Sequence, residues 1–222
     1  MRMKASLISR LLPSIKEGRT SISTLGRETR LGETVLREIL TELTRENIGQ
    51  LDGSSVIFRT SDKLKAALVG ISLGCSLRDI SETLDWRTFE SFTAEVLQKN
   101  NYETHSNMFL KNPRLQLDLI GRSAEFAICV DCKDWRRPTA PAAMKKIALR
   151  QAFRTKVFVE SPMARRWKIE EAMPLVITLR KDSGPIVEGV PVVPIGSLQS
   201  FIYDVDEVRQ HALIVSPVKQ IL

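Results

Sequence analysis

The chain has 222 residues, 43% of them hydrophobic and 27% charged, and a formal net charge of +7. That composition excludes a disordered chain, and no apolar run reaches the roughly 20 residues that a membrane-spanning helix needs. Three cysteines cannot build a disulfide framework and fit a reducing, cytoplasmic setting. The charge is unevenly spread. Residues 1–60 carry ten Lys/Arg against seven Asp/Glu, and residues 61–132 carry eight against ten. Residues 133–168 carry eleven against two, and 169–222 four against seven. A basic segment of this kind suits a polyanion, nucleic acid above all, or else forms a solvated face.

In chain order, "ASLISRLLPSIKEG" predicts a first helix, with Pro13 in its middle and Gly18 closing it. It reads as part of the mature chain and not as a cleaved leader. "SISTLGRETR" predicts a short second helix opening on Ser and Thr caps. "LGETVLREILTELTREN" predicts a third, with Val35, Leu36, Ile39, Leu40 and Leu43 on one face. "IGQLDGSSVIFR" predicts a hairpin turning at Asp52-Gly53. Residues 61–85 read as a helical connector. From Trp86 onward helices and strands alternate, which predicts an α/β layer with a mixed central sheet.

Over residues 1–60 the order of elements resembles a winged helix-turn-helix. The resemblance implies a recognition helix whose outward Arg37, Thr41 and Arg45 reach phosphates or base edges. Glu33, Glu38, Glu42 and Glu46 on the same helix would repel the DNA backbone, so protein docking or dimerisation is the other reading of this unit.

The chemistry concentrates in "DLIGRSAEFAICVDCKDW", residues 118–135. Side chains alternate along a strand, so Asp131 and Lys133 share a face, while Val130 and Cys132 take the other. The short "GRSAE" link makes the strand of Asp118 an antiparallel neighbour. Two carboxylates offer hard oxygen ligands suited to Mg²⁺ or Mn²⁺, and an adjacent lysine can orient a water or steady charge on a phosphate. On the helix "WRTFESFTAEVLQKN", Glu90 falls at the edge of the apolar stripe and Glu95 well away from it, so Glu90 is the expected third carboxylate. An Asp-x-Lys on a strand is also a common interstrand ion pair, which is the plain structural alternative.

Phe89-Glu90, Asn101-Tyr102, Asp118-Leu119-Ile120 and Asp131-Cys132-Lys133 with Trp135 together resemble the PD-(D/E)XK nuclease superfamily. The likeness is to its Mrr-like and archaeal Holliday-junction-resolvase-like branches and covers about residues 86–137. The sequence departs from the pattern at Leu117, at Asp131 in place of glutamate or glutamine, and at "KNPRLQ" in place of a glycine-rich loop. The resemblance implies an α/β fold of restriction-endonuclease type, a mixed central sheet flanked by helices and preceded by a small winged-helix domain. The expected layout is 1–60 winged helix, 61–85 connector and 86–222 nuclease domain. The implied activity is Mg²⁺- or Mn²⁺-dependent hydrolysis of DNA phosphodiesters, branched or otherwise structured DNA included. Glu90, Asp118 and Asp131 would bind metal, and Lys133 would act on the water or the transition state.

Arg136, Arg137, Lys145, Lys146 and Arg150 are the expected DNA contacts beside the site, and Gln151 either positions a water or faces solvent. Cys129-x-x-Cys132 has zinc-like spacing, but the two side chains point to opposite faces and read as buried hydrophobes. The expected partners are DNA, a second copy of the chain, and a protein of DNA repair or recombination, with the protein at the nucleoid and not in a membrane. The alternatives are a catalytically inactive nuclease-fold scaffold and a winged-helix transcription regulator.

Overall fold

The computed structural model describes residues 4–75, 80, 83–111, 113–133, 140–179 and 186–217. The chain divides into two compact units, Met1–Phe92 and Thr93–Leu222.

In the first unit, α1 (Ala5–Leu11) runs into a 3₁₀ turn (Leu12–Ser14), followed by β1 (Gly18–Ser21), α2 (Ile22–Thr29) and α3 (Glu33–Arg45). A hairpin of β2 (Gln50–Asp52) and β3 (Ser55–Phe58) and then α4 (Asp62–Ser72) follow. The first helix is shorter than the sequence pattern suggests: Pro13 lacks an N–H, and the α-helix tightens to 3₁₀ before it. The segment after Gly18 pairs as a strand with β3, giving a three-stranded antiparallel sheet in the order β1-β3-β2. Ser21 caps α2 by accepting the Thr24 amide at 3.1 Å. Leu36, Ile39, Leu40 and Leu43 are buried on α3, as their spacing requires. Gly53 turns the hairpin at φ +59°. Helix α4 packs on α1, where the Gly70 Cα lies close to the Ile8 side chain.

The second unit is mixed α/β. Helix α5 (Trp86–Lys99) straddles the division between the units. Three strands follow, β4 (Glu103–Leu110), β5 (Leu115–Ser123) and β6 (Phe126–Lys133). Next come α6 (Pro141–Val159), α7 (Pro162–Arg166), β7 (Glu171–Thr178), β8 (Ile186–Val187) and β9 (Val190–Pro194). A 3₁₀ turn, α8 (Leu198–Tyr203) and α9 (Val205–Val208) end the ordered elements. The six-stranded sheet has the order β4-β5-β6-β7-β9-β8. Strands β4, β5 and β6 form an antiparallel meander, whereas β6, β7 and β9 are parallel. Joining parallel β6 to β7 needs a crossover, and α6 with α7 supplies it.

Helices cover both faces of β6, which explains why it reads as the nearly continuous apolar run Phe-Ala-Ile-Cys-Val. The C-terminal part of α5 lies on one face. There Gly121 has no side chain in the way of Leu97: a Cβ would stand 2.9 Å from a Leu97 methyl. Helix α6 lies on the other face, where Phe158 and Val159 join Ile120, Ala127 and Cys129 in a buried cluster. A second cluster sets Met144 and Ala148 against Val176, Val190 and Val192. No helix among the described residues is long and apolar enough to cross a membrane.

Candidate functional site

Strands β5 and β6 pair with Leu119 opposite Val130 and Ile120 opposite Cys129. One step further along this register sets Asp118 opposite Asp131, on the sheet face that α6 covers. Asp131 is only 1% exposed. A carboxylate so buried needs partners, and two stand among the described residues. Lys133 Nζ donates to Asp131 Oδ1 at 2.9 Å, and the Arg154 guanidinium donates to the same oxygen at 2.8 Å. Asp118 Oδ2 accepts the Cys132 amide at 3.1 Å. Burial pushes the Asp118 carboxyl above its ordinary range, and the Asp131 carboxylate pushes it further. The Cys132 amide, Lys133 and Arg154 act in the opposite direction.

The sequence places Asp118, Asp131 and Lys133 together, and the structure brings them together. Arg154 is a member of the cluster that sequence reasoning misses. It stands 23 residues beyond Asp131 on α6, and the only signal was its place in the basic segment. Gln151, one turn earlier, is 1% exposed and does not face solvent: its Nε2 donates to the Cys129 carbonyl at 2.7 Å. Two buried polar atoms on α6, Gln151 Oε1 and Arg154 Nε, have no hydrogen-bond partner among the described residues.

Glu90 is buried in the first half of α5. Farther along that helix the Thr93 hydroxyl lies 3.8 Å from Cys132 Sγ, on the face opposite the aspartates. Among the described residues, no three of His, Cys, Asp and Glu come together as a metal-binding group. Among the described residues, the carboxylates seen to interact here are Asp118 and Asp131. Two carboxylates with water completing the shell fit Mg²⁺, whose charge would offset the burial and, after it, the Asp131 charge that raise Asp118. Cys129 and Cys132 are both buried, and burial drives the Cys129 thiol up to about 12. The two side chains behave as small buried hydrophobes.

The expected DNA contacts are spread over two helices. Arg37 on α3 is exposed, but its Nε bonds Glu33 at 2.9 Å and its NH1 bonds the Gly53 carbonyl of the hairpin turn at 3.2 Å. The Thr41 hydroxyl donates to the Arg37 carbonyl at 2.7 Å. Arg45 is exposed at the end of the same helix. Lys145 pairs with Glu188 at 2.8 Å, and Lys146 and Arg150 lie exposed on α6. Trp135, Arg136 and Arg137 fall outside the described residues.

No known family model matches the chain, and no curated protein does. Among solved structures, protein VC1899 from Vibrio cholerae aligns at 10% identity and a TM-score of 0.37, over 93% of this chain and 50% of that one. The restriction endonuclease FokI aligns at 10% identity and a TM-score of 0.36, over 95% of this chain and 44% of that one. The chain spans half or less of the length of these structures.

Proposed function

We propose that the protein is a metal-dependent DNA endonuclease. The observation that carries this reading is the pair Asp118 and Asp131, set opposite each other on adjacent strands with Lys133 and Arg154 converging on one of them. Asp118 and Asp131 would hold Mg²⁺ or Mn²⁺, which when bound lowers the pKa of water and offsets charge developing on a phosphoryl group. Lys133 orients the attacking water or steadies the transition state, and Arg154 fixes the carboxylate of Asp131. Hydrolysis joins a water oxygen to phosphorus and breaks one P–O ester bond, and the leaving oxygen takes a proton. Glu90 is a third candidate carboxylate on its sequence pattern alone. Glu90→Gln decides its part: a fall in cleavage of about 10²-fold or more keeps it in the site, and an unchanged rate removes it.

The first unit, ordered helix, strand, helix, helix and hairpin around a three-stranded sheet, supports a winged-helix reading. Arg37, Thr41 and Arg45 then face the duplex, with Arg136, Arg137, Lys145, Lys146 and Arg150 contacting DNA beside the nuclease centre. Cleavage of duplex, single-stranded, flap and four-way-junction DNA with Mg²⁺, Mn²⁺ or EDTA tests the proposal. Metal-dependent cutting that Lys133→Ala reduces by about 10²–10³-fold is the expected result. No cutting of any substrate overturns it.

A second reading has its own observation. Asp131 Oδ1 is already neutralised by two cationic side chains, as an ion cluster of an inactive, DNA-binding scaffold would be. Titration with Mg²⁺ separates the two: a rise in melting temperature that Asp118→Asn abolishes favours the enzyme, and no response favours the scaffold.

A further inference from the structure

The second unit contains a groove of about 900 Å³ bounded by the end of β4, the last turn of α6 and α7. Its volume is at the upper end of those that take drug-sized ligands. The groove combines two features. It presents apolar and aromatic surface: Phe109 is 57% exposed, unusual for so large a hydrophobe, with Met108 beside it and Trp167 across the groove. Trp167 is fixed by stacking on His105 with ring centroids 4.3 Å apart, and the Arg122 guanidinium lies 5.3 Å from its ring. The groove also carries cations. Lys111, Arg165 and Arg166 are exposed in its lining, and none is ion-paired among the described residues. Of the described lining residues, only Glu160 is acidic.

The position of the groove matters as much as its chemistry. Met108 pairs across the sheet with Leu117, the residue immediately before Asp118. One wall of the groove is therefore the strand next to the carboxylate pair. A polymer with a negative charge at every unit and a flat apolar group between charges would satisfy both the cations and the exposed ring. A duplex keeps its bases stacked inside and offers no free π-face to Phe109, whereas an unpaired strand does.

We propose that this groove binds a single-stranded segment of DNA, with a base stacked on Phe109 and phosphates at Lys111, Arg165 and Arg166. The proposal rests on the nuclease reading, because only a phosphodiester chain has reason to run from here to Asp118. It makes substrates with an unpaired arm, such as flaps and splayed ends, the class the protein prefers over plain duplex.

The test is fluorescence anisotropy of a labelled oligothymidylate 20-mer and of a duplex of equal length, with the full chain in EDTA so that nothing is cut. Phe109→Ala, a change at an exposed side chain, is expected to weaken oligothymidylate binding about tenfold and duplex binding much less. Arg165→Ala/Arg166→Ala is expected to lower the slope of log affinity against log salt by about 1.4 for the single strand. Unchanged oligothymidylate affinity in both variants overturns the proposal, as does an equal loss for both nucleic acids. Failure of the full chain to bind oligothymidylate, with tight binding of a labelled acidic amphipathic peptide that Phe109→Ala weakens, also overturns it and makes the groove a protein-docking site. The outcome is separable from the nuclease reading, which stands or falls on Lys133→Ala in the metal-dependent assay.

Discussion

Burial and the neighbouring Asp131 charge both set Asp118 against its ionised form. Its folded pKa lies above the ordinary 3.8, so on acidification the folded chain binds this proton before the unfolded chain does. Stability linked to Asp118 therefore rises as pH falls through the folded value towards 3.8, and at neutral pH the ionised group opposes folding. Asp118→Asn keeps an oxygen for the Cys132 amide and removes the charge. Without divalent cation, the variant is expected to melt a few degrees above the parent at pH 7, with the gap closing near pH 4. Calorimetry over that range checks both the sign and the closure. Arg154→Ala has the opposite effect, since it strips one of two donors from a carboxylate that is 1% exposed. A loss of about 1–3 kcal/mol in urea denaturation is expected. Cys129, wholly buried with its thiol pushed up to about 12, should resist alkylation at pH 8 until the chain is unfolded.

At the scale of elements, Gly121 sets how closely α5 approaches the sheet. A Cβ there would sit 2.9 Å from Leu97, so Gly121→Ala should cost about 1–3 kcal/mol in the same denaturation assay. The elements legible in the sequence are those with one apolar face or one apolar run: α3 through its stripe, and β6 through its continuous hydrophobicity. Asp118, Asp131 and Lys133 were legible for the same reason, because charges stand out on such strands. Strand β1 was not, since Gly-Arg-Thr-Ser has no alternation and lies between helical signals, and only pairing with β3 makes it a strand. Helix α6 hid its role by mixing polar residues into its buried face and leaving large hydrophobes outside it. It buries Gln151 and Thr155 and exposes Leu149 (47%) and Phe153 (52%). Periodicity therefore gives no reason to turn Arg154 towards Asp131; that orientation follows from tertiary packing.

Across the whole molecule, the positive excess lies in the segment that covers the carboxylate pair, between residues 133 and 168. Duplex affinity should accordingly fall steeply with salt, and Lys146→Glu/Arg150→Glu should flatten the slope of log affinity against log salt by about 1.8. An isotherm at four salt concentrations tests this. The two aspartates facing each other have one more consequence. If the pair holds an ion as proposed, filling the site would tie chain stability to the free concentration of that ion by mass action. On the proposed reading, an ion present at 100 times its dissociation constant would add about 2.7 kcal/mol to the folded state. Magnesium would then brace the fold as well as serve the reaction, and withdrawing it would loosen the chain and empty the site together.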